Sequence, residues 1–462
     1  MAQRFDAIII GTGQAGQPLS GALSDAGWQT AIIERGRVGG TCLIDGCTPS
    51  KTMIASARVA YLARRAAEYG VRAGPIDVDL PAVVRRKATV VDDFSAASER
   101  RMTERENLEL IIGEARFVGP AEIEVKLSSS GTRRLTSEKI FINAGARPAA
   151  PSIPGLEQVD FFDSTSIMEL TTLPDHLVVL GGGFVGLEFA QMFRRFGAQV
   201  TVLEAKAHLV DREDEDIAEA VEEIFREDGI DVRTSTEVIG VDRGHNGGVI
   251  IRVRASDGDD AIHGSHLLVA VGRVPNTDTL DVSRAGLETD RKGYIRVDER
   301  LQTNVPGIYA LGDIAGSPPF THIAYDDYRV IRANLLNNGD RTTTDRLLTY
   351  TFFIDPQLGR VGMSEAEARQ DGLDIRVAKL PMTRVARAIE TGETRGLIKA
   401  LVDARTDRIV GAAVLGIEGG EIVAILQTAI IAGLPYTELR DAIFAHPTLA
   451  ESLNNLFTAL DA

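Results

Sequence analysis

Two stretches of this chain repeat one design, and that repeat limits its fold more than any other feature. The first is DAIIIGTGQAGQPLSGALSDAGWQTAIIERG (6–36); the second is HLVVLGGGFVGLEFAQMFRRFGAQVTVLEAK (176–206). Each reads as a short apolar strand, a glycine-rich turn, an amphipathic helix and a second apolar strand. The glycines are Gly11, Gly13 and Gly16, then Gly181, Gly183 and Gly186. A carboxylate closes each second strand, Glu34 and Glu204, each 23 residues after the first glycine of its motif. An isolated G-x-G-x-x-G is a weak signal, because glycine turns are common. Here strand, helix, second strand and acidic residue all fall where a dinucleotide site needs them. The glycines allow a tight turn and close backbone approach to a pyrophosphate. The helix N-terminus offers N–H groups and the positive end of its dipole, and the carboxylate accepts from an adenosine ribose. Two complete copies predict two bound dinucleotides and an α/β fold.

The stretch GGTCLIDGCTPSK (39–51) holds Cys42 and Cys47, the only cysteines among 462 residues. A chain of this length buries ample core and needs no staple, and closing so short a loop would contribute only about 2 kcal/mol. Residues 48–70 read as a helix with Thr48 as N-cap and Pro49 in the first turn. Cys47 then lies just before the positive end of a helix dipole, which favours thiolate. A redox-active pair is the sharper reading and structural or inert thiols the plainer one. A metal site is the poorest, since two sulfurs without a second Cys/His pair do not build a zinc centre.

The formal charge of −16 disfavours nucleic acid or an anionic membrane surface as partner. No run approaches ~18 uninterrupted apolar residues, so no membrane span is expected. Two cysteines, no leader-like pattern and a nucleotide motif starting almost at once are read as a cytoplasmic, reducing location without a targeting segment. The acidic run DREDEDIAEAVEEIFRED (211–228) reads as a solvated helix face without chemistry. NAGARP (143–148) and HLLVAVGRVPNT (266–277) share a strand-then-glycine pattern, and from about residue 346 strands and then helices follow with no nucleotide motif.

With these residues in view, GGTCLIDGCTPSK resembles the cysteine element of the class I pyridine nucleotide–disulfide oxidoreductases, the flavoprotein disulfide reductases. YALGD (309–313) is similar to that family's second FAD motif and FAHPTLAES (444–452) to its histidine–glutamate element. The resemblance implies two Rossmann-like domains, the FAD domain split in sequence, plus a C-terminal α+β dimerisation domain. The expected division is 1–150 (FAD, with the redox disulfide), 151–270 (NAD(P)), 271–345 (FAD, second part) and 346–462 (dimerisation). It further implies that Gly11, Gly13, Gly16, Glu34 and Asp313 bind FAD, and that Gly181, Gly183, Gly186 and Glu204 bind the nicotinamide nucleotide. Gly40, Thr41, Ala144, Gly145 and Gly272 join the cofactor contacts. Cys47 would face the flavin and Cys42 would meet substrate. Lys51 would lie near the flavin, paired with Glu188. His446, oriented by Glu451, would serve as acid–base from the other subunit of a homodimer. Chemistry alone supports that role, because thiol–disulfide exchange needs a thiolate attacker and a protonated leaving thiol, both within reach of an imidazole.

Glu204 favours NADH over NADPH, since a carboxylate there accepts from a 2′-OH and repels a 2′-phosphate. Ile44 and Asp45 depart from the usual family residues, and a carboxylate beside the thiols would favour their protonated forms. The expected activity is hydride transfer from NADH through FAD to the Cys42–Cys47 disulfide and on to a small or lipoyl-type disulfide, or the reverse. The alternatives are reduction of a small electrophile (hypothiocyanous acid, Hg(II) or another metal ion), a simple NADH oxidase, and a non-enzymatic flavin/NAD redox sensor. Mercuric reductases carry a C-terminal cysteine pair, and this chain has no third cysteine.

Overall fold

The computed structural model describes residues 2–256, 258–344 and 346–461. It divides into two compact units. The first comprises Met1–Thr52, Ala82–Ala149 and Gly272–Arg346, and the second Met53–Pro81, Ala150–Val271 and Leu347–Ala462.

In the first unit, strands Thr30–Glu34, Ala7–Ile10, Ile140–Ile142 and Ile308–Ala310 lie side by side and parallel, with Leu108–Gly119 beyond Thr30–Glu34. Ile8 faces Ala31 on one side and Ile140 on the other. A strand buried on both faces must be apolar throughout, and Ala7–Ile10 is. Ile8 and Ile10 enter a core with Ile33, Phe117 and Ile142, while Ala7 and Ile9 enter the opposite one with Leu19, Leu23 and Ile331. The period-two alternation of side chains thus feeds two layers, of which the one with Ala7 and Ile9 is covered by helices Gly16–Asp25 and Thr321–Leu336. An antiparallel extension, Leu108–Gly119 with Glu122–Leu127 and Thr132–Thr136, completes the sheet.

The second unit holds a parallel four-stranded sheet in the order Asp231–Arg233, Gln199–Leu203, His176–Leu180, His266–Val269. Helix Phe184–Phe196 follows the second glycine turn. A five-stranded antiparallel sheet, from Thr349–Phe352 to Ile409–Gly416, and helices Gly419–Ile431 and Ser452–Thr458 form a separate core around Leu426, Leu453 and Phe457. The α/β class, with a separate C-terminal architecture of strands and helices, agrees with the expectation. Among the described residues, no helix is long and apolar enough to cross a membrane.

Two expectations are corrected. The helix starts at Cys47, not after Thr48, and runs to Arg64, with a short 3₁₀ turn at Ala66–Tyr69. Ser50 N–H already bonds to Gly46 O at 3.0 Å, so the helical ladder begins one residue before the cysteine. The acidic run is not wholly a solvated face either. The helix spans Glu215–Glu227, and Glu213, Asp214 and Glu222 are buried. Arg360 Nη1 lies 3.1 Å from Glu213 and 3.3 Å from Asp214, and Lys399 Nζ lies 3.2 Å from Asp214. Arg360 comes from 146–147 residues further along the chain and Lys399 from still further, and they are what makes burial of those carboxylates tolerable.

Candidate functional site

The first glycine turn follows strand Ala7–Ile10. Gly11 has φ +103°, and a Cβ there would stand 2.3 Å from Asn143 O. A Cβ on Gly16 would stand 2.2 Å from Gly11 O, so helix Gly16–Asp25 can start only because neither carries a side chain. Thr12, fully buried, donates from its N–H and hydroxyl to Glu34 Oε2 at 3.1 and 2.6 Å, while Gly36 N–H donates to Oε1 at 3.0 Å. Gly39 N–H donates to the Thr12 hydroxyl at 3.0 Å, which ties the approach to Cys42 onto the nucleotide turn. A Cβ on Gly40 would fall 2.6 Å from Gly13 Cα.

This donor set fits FAD. The N-cap residue Ala15 makes no side-chain cap on helix Gly16–Asp25, and Asn143 Oδ1 takes the Gly16 N–H at 3.0 Å, so the N–H groups that follow and the dipole end face a pyrophosphate. Around the Cβ position of Gly145, only Thr41 Oγ1 comes within 4 Å. Asp313 lies in the turn after strand Ile308–Ala310, which pairs with Ile140–Ile142 just ahead of Ala144 and Gly145. Burial pushes its carboxyl upward, and Arg273, 3.9 Å away, opposes that.

The second turn repeats the geometry. Gly181 has φ +109°, and its Cβ would meet Ala270 O at 2.6 Å. Gly183 is the N-cap of helix Phe184–Phe196 and brings no side chain to it, and among the described residues beyond its chain neighbours nothing lies within 4 Å of where its Cβ would be. A Cβ on Gly186 would meet Gly181 O at 2.3 Å. Glu204 accepts from Gly182 N–H at 2.7 Å and from Lys206 N–H at 2.8 Å. The nearby basic side chains have partners of their own: Lys206 pairs with Asp211, and His208 meets Glu222 at 3.2 Å. An acidic ribose acceptor beside an uncapped helix start suits a nicotinamide dinucleotide. Gly272, at φ +135°, has nothing within 4 Å of its Cβ position. Glu188 is buried on helix Phe184–Phe196, and its Oε1 accepts from Phe353 N–H at 2.8 Å.

Cys42 sits half-buried in the short helix Gly40–Ile44; Cys47, exposed, opens helix Cys47–Arg64; the two are not joined as a disulfide. Thr321 Oγ1 is 3.5 Å from Cys47 Sγ, and Lys51 follows one turn along the helix. The Cys42 thiol is pushed well above its usual value by its hydrogen bond to Cys47, then by burial and the charge on Cys47; Thr321 and Lys51 pull the other way. A thiol held up in this way is activated by an external base. His446 Nδ1 lies 2.9 and 3.1 Å from the two Glu451 oxygens, and the imidazole is 68% exposed. This pair belongs to the second unit, and Cys42, Cys47 and Lys51 to the first. Among the described residues, no three His, Cys, Asp or Glu side chains gather as metal ligands.

Reading the sequence missed Thr12 and Asn143. Thr12 lies inside the first G-x-G, where any residue satisfies the pattern. Asn143 opens NAGARP, and its side-chain partners are far away in sequence.

Residues 5–327 match the family model described as pyridine nucleotide-disulphide oxidoreductase, and residues 348–457 match that family's dimerisation domain. The chain is 38% identical to the probable pyridine nucleotide-disulfide oxidoreductase RclA of Escherichia coli, over 98% of its own length and 99% of the relative's. It is 35% identical to a mercuric reductase of Streptomyces lividans, covering 97% of the chain and 94% of the relative. A dihydrolipoyl dehydrogenase of Thermus scotoductus is 32% identical, with 99% and 97% covered. Among solved structures, the HOCl-induced flavoprotein disulfide reductase RclA from Escherichia coli superposes with a TM-score of 0.89 at 38% identity, over 98% of this chain and 99% of that one.

Proposed function

The chain belongs to the pyridine nucleotide-disulphide oxidoreductase family, and from that premise we propose an NADH-preferring, homodimeric, cytoplasmic enzyme that reduces a small thiol-reactive substrate at Cys42. As a flavoprotein disulfide reductase it uses FAD and NAD(P)H. FAD, when bound, supplies two-electron transfer between a nicotinamide and a disulfide. Glu34, Thr12, Gly11–Gly16 and Asp313 would hold it. Residues 1–150 and 271–345 would form its domain, 151–270 the nicotinamide domain with Glu204 at the ribose, and 346–462 the dimer contact.

Cys47, opening a helix beside Thr321, is suited to rest as thiolate. Cys42 holds its proton until a base removes it. His446, oriented by Glu451 through Nδ1, presents its other nitrogen for that task, and from a second subunit it would take the proton from Cys42 Sγ. The Cys42 thiolate then attacks an electrophilic sulfur or halogen-derived centre. Cys47 attacks the resulting Cys42 adduct, which releases the reduced product and closes the Cys42–Cys47 disulfide. Lys51 would stabilise negative charge nearby, and Glu188 would balance it.

The placement of the two thiols carries this reading: Cys42 lies half-buried in helix Gly40–Ile44, and Cys47, exposed, opens helix Cys47–Arg64 with Thr321 Oγ1 3.5 Å away. The 38% identity to a relative named as an HOCl-induced reductase supports a small electrophile; the intact His446–Glu451 pair keeps a dithiol substrate as the second reading. NADH-driven reduction of hypothiocyanous acid should be rapid, lost in Cys42→Ser, and faster than dihydrolipoamide-driven NAD⁺ reduction. Turnover surviving Cys42→Ser would refute it. His446→Ala should slow either reaction by about 10²–10⁴-fold, while NADH still bleaches the flavin.

A further inference from the structure

One peptide group in the first unit is gripped at both ends by two buried side chains, Asn143 and Asp327. The Leu311 carbonyl accepts from Asn143 Nδ2 at 2.9 Å, and the Gly312 N–H donates to Asp327 Oδ2 at 2.7 Å. These two groups belong to the same planar peptide, so fixing both fixes its plane. The residue after it needs that restraint. Gly312 has φ +72°, and a glycine there could rotate into several wells at little cost. Asp313, the aspartate facing the FAD site, comes next in the chain.

Both posts are themselves anchored. Asn143 is 7% exposed; its Oδ1 accepts from Gly16 N–H at 3.0 Å and its own N–H donates to Ile10 O at 2.8 Å. It therefore joins the start of the first nucleotide helix, 127 residues before it, to the 311–313 turn, 168 residues after it. Asp327 is fully buried; Arg346 Nη2 lies 2.6 Å from its Oδ1, and Ser317 Oγ donates to its Oδ2 at 3.1 Å.

We infer that Asn143 and Asp327 are positioning residues which clamp the 311–312 peptide and so hold Asp313 and the first glycine turn in one flavin-binding arrangement. This rests on the flavin-site reading above. A buried amide pair made only to satisfy core polar groups would affect stability alone; a clamp acts on how tightly and in what environment the flavin is held.

The test is the rate of flavin release from purified holoenzyme, read by flavin fluorescence at a fixed interval below each variant's own Tm, with the visible circular dichroism of the bound flavin alongside. Asn143→Asp keeps the acceptor for Gly16 but removes the donor to Leu311. Asp327→Leu removes the acceptor for Gly312, whereas Asp327→Asn keeps an amide oxygen there. Release should quicken about tenfold or more in Asn143→Asp and Asp327→Leu, with an altered flavin band, and stay within about threefold of wild type in Asp327→Asn. Wild-type release rates in the first two variants, or equal acceleration in all three, would overturn the clamp. A wild-type protein that purifies without FAD would overturn the flavin-site reading and the clamp with it.

Discussion

Replacing Asp355 probes the ionic cluster that carries the segment holding Glu188. Four guanidinium groups, Arg58, Arg65, Arg195 and Arg395, surround Tyr61, with Arg195 only 3.9 Å from the ring centroid. The carboxylates are Asp228, Asp355 and Glu393. Asp355 takes Arg58 at 2.6 Å and also Arg195, and its backbone exchanges hydrogen bonds of 2.7 and 2.8 Å with Gln191 on helix Phe184–Phe196. Without its carboxylate, Arg195, 6% exposed, keeps Asp228 at 3.7 Å, and Arg58 keeps Glu393 at 3.1 Å. Removing one partner of a buried pair costs about 3–5 kcal/mol. The remaining carboxylates and the partial exposure of Arg58 place Asp355→Asn near the lower end, about 3 kcal/mol.

The pH dependence has a definite sign. Burial alone would raise the Asp355 carboxyl, but Arg195 and Arg58 hold it below its usual value. A carboxylate depressed in the folded state contributes fully above its unfolded value of about 3.9, and that contribution is lost as pH falls through the folded value. Urea unfolding of wild type and Asp355→Asn, at one protein concentration and with saturating FAD, should show the full gap at pH 7. The gap should be nearly undiminished at pH 5 and shrink below about pH 4. A gap under about 1 kcal/mol at pH 7, or one that persists unchanged at the lowest pH where both fold, would refute the reasoning.

Three further outcomes follow from the site. Glu204→Gln should raise the ratio of kcat/KM for NADPH over NADH by about tenfold or more, because the repulsive charge is gone while an amide oxygen remains for one of the two N–H donors; an unchanged ratio in steady-state assays would remove Glu204 from cofactor choice. Asp45→Asn should lower the pKa of Cys42, moving the alkylation profile of the reduced enzyme to lower pH; an identical profile would show that Asp45 exerts no field at the thiols. Thr12→Val deletes the hydroxyl that donates to Glu34 and accepts from Gly39, so flavin retention after gel filtration should fall; full retention would count against a role in the site.

Much of this protein is legible before any coordinates, and for a physical reason. A glycine turn between an apolar strand and an amphipathic helix is a local object: spacing, periodicity and the sterics of Gly11 and Gly181 suffice to specify it. The cysteine pair is local in the same sense, with four residues between two thiols at a helix start. From such stretches the two nucleotide units, the redox pair, the family and the flavin-dependent disulfide chemistry all follow.

What the sequence could not disclose depends on partners far along the chain. Arg360 and Lys399 turn Glu213 and Asp214 from expected surface charges into buried ones. Asn143 and Asp327 acquire meaning only when the 311–312 peptide lies between them. The helix boundary lies at Cys47 because Gly46 O already accepts from Ser50 N–H, a bond that capping propensity at Thr48 did not reveal. Local pattern decides which elements form, whereas burial and long-range hydrogen bonding, which only the tertiary structure supplies, decide which side chains hold the site in shape.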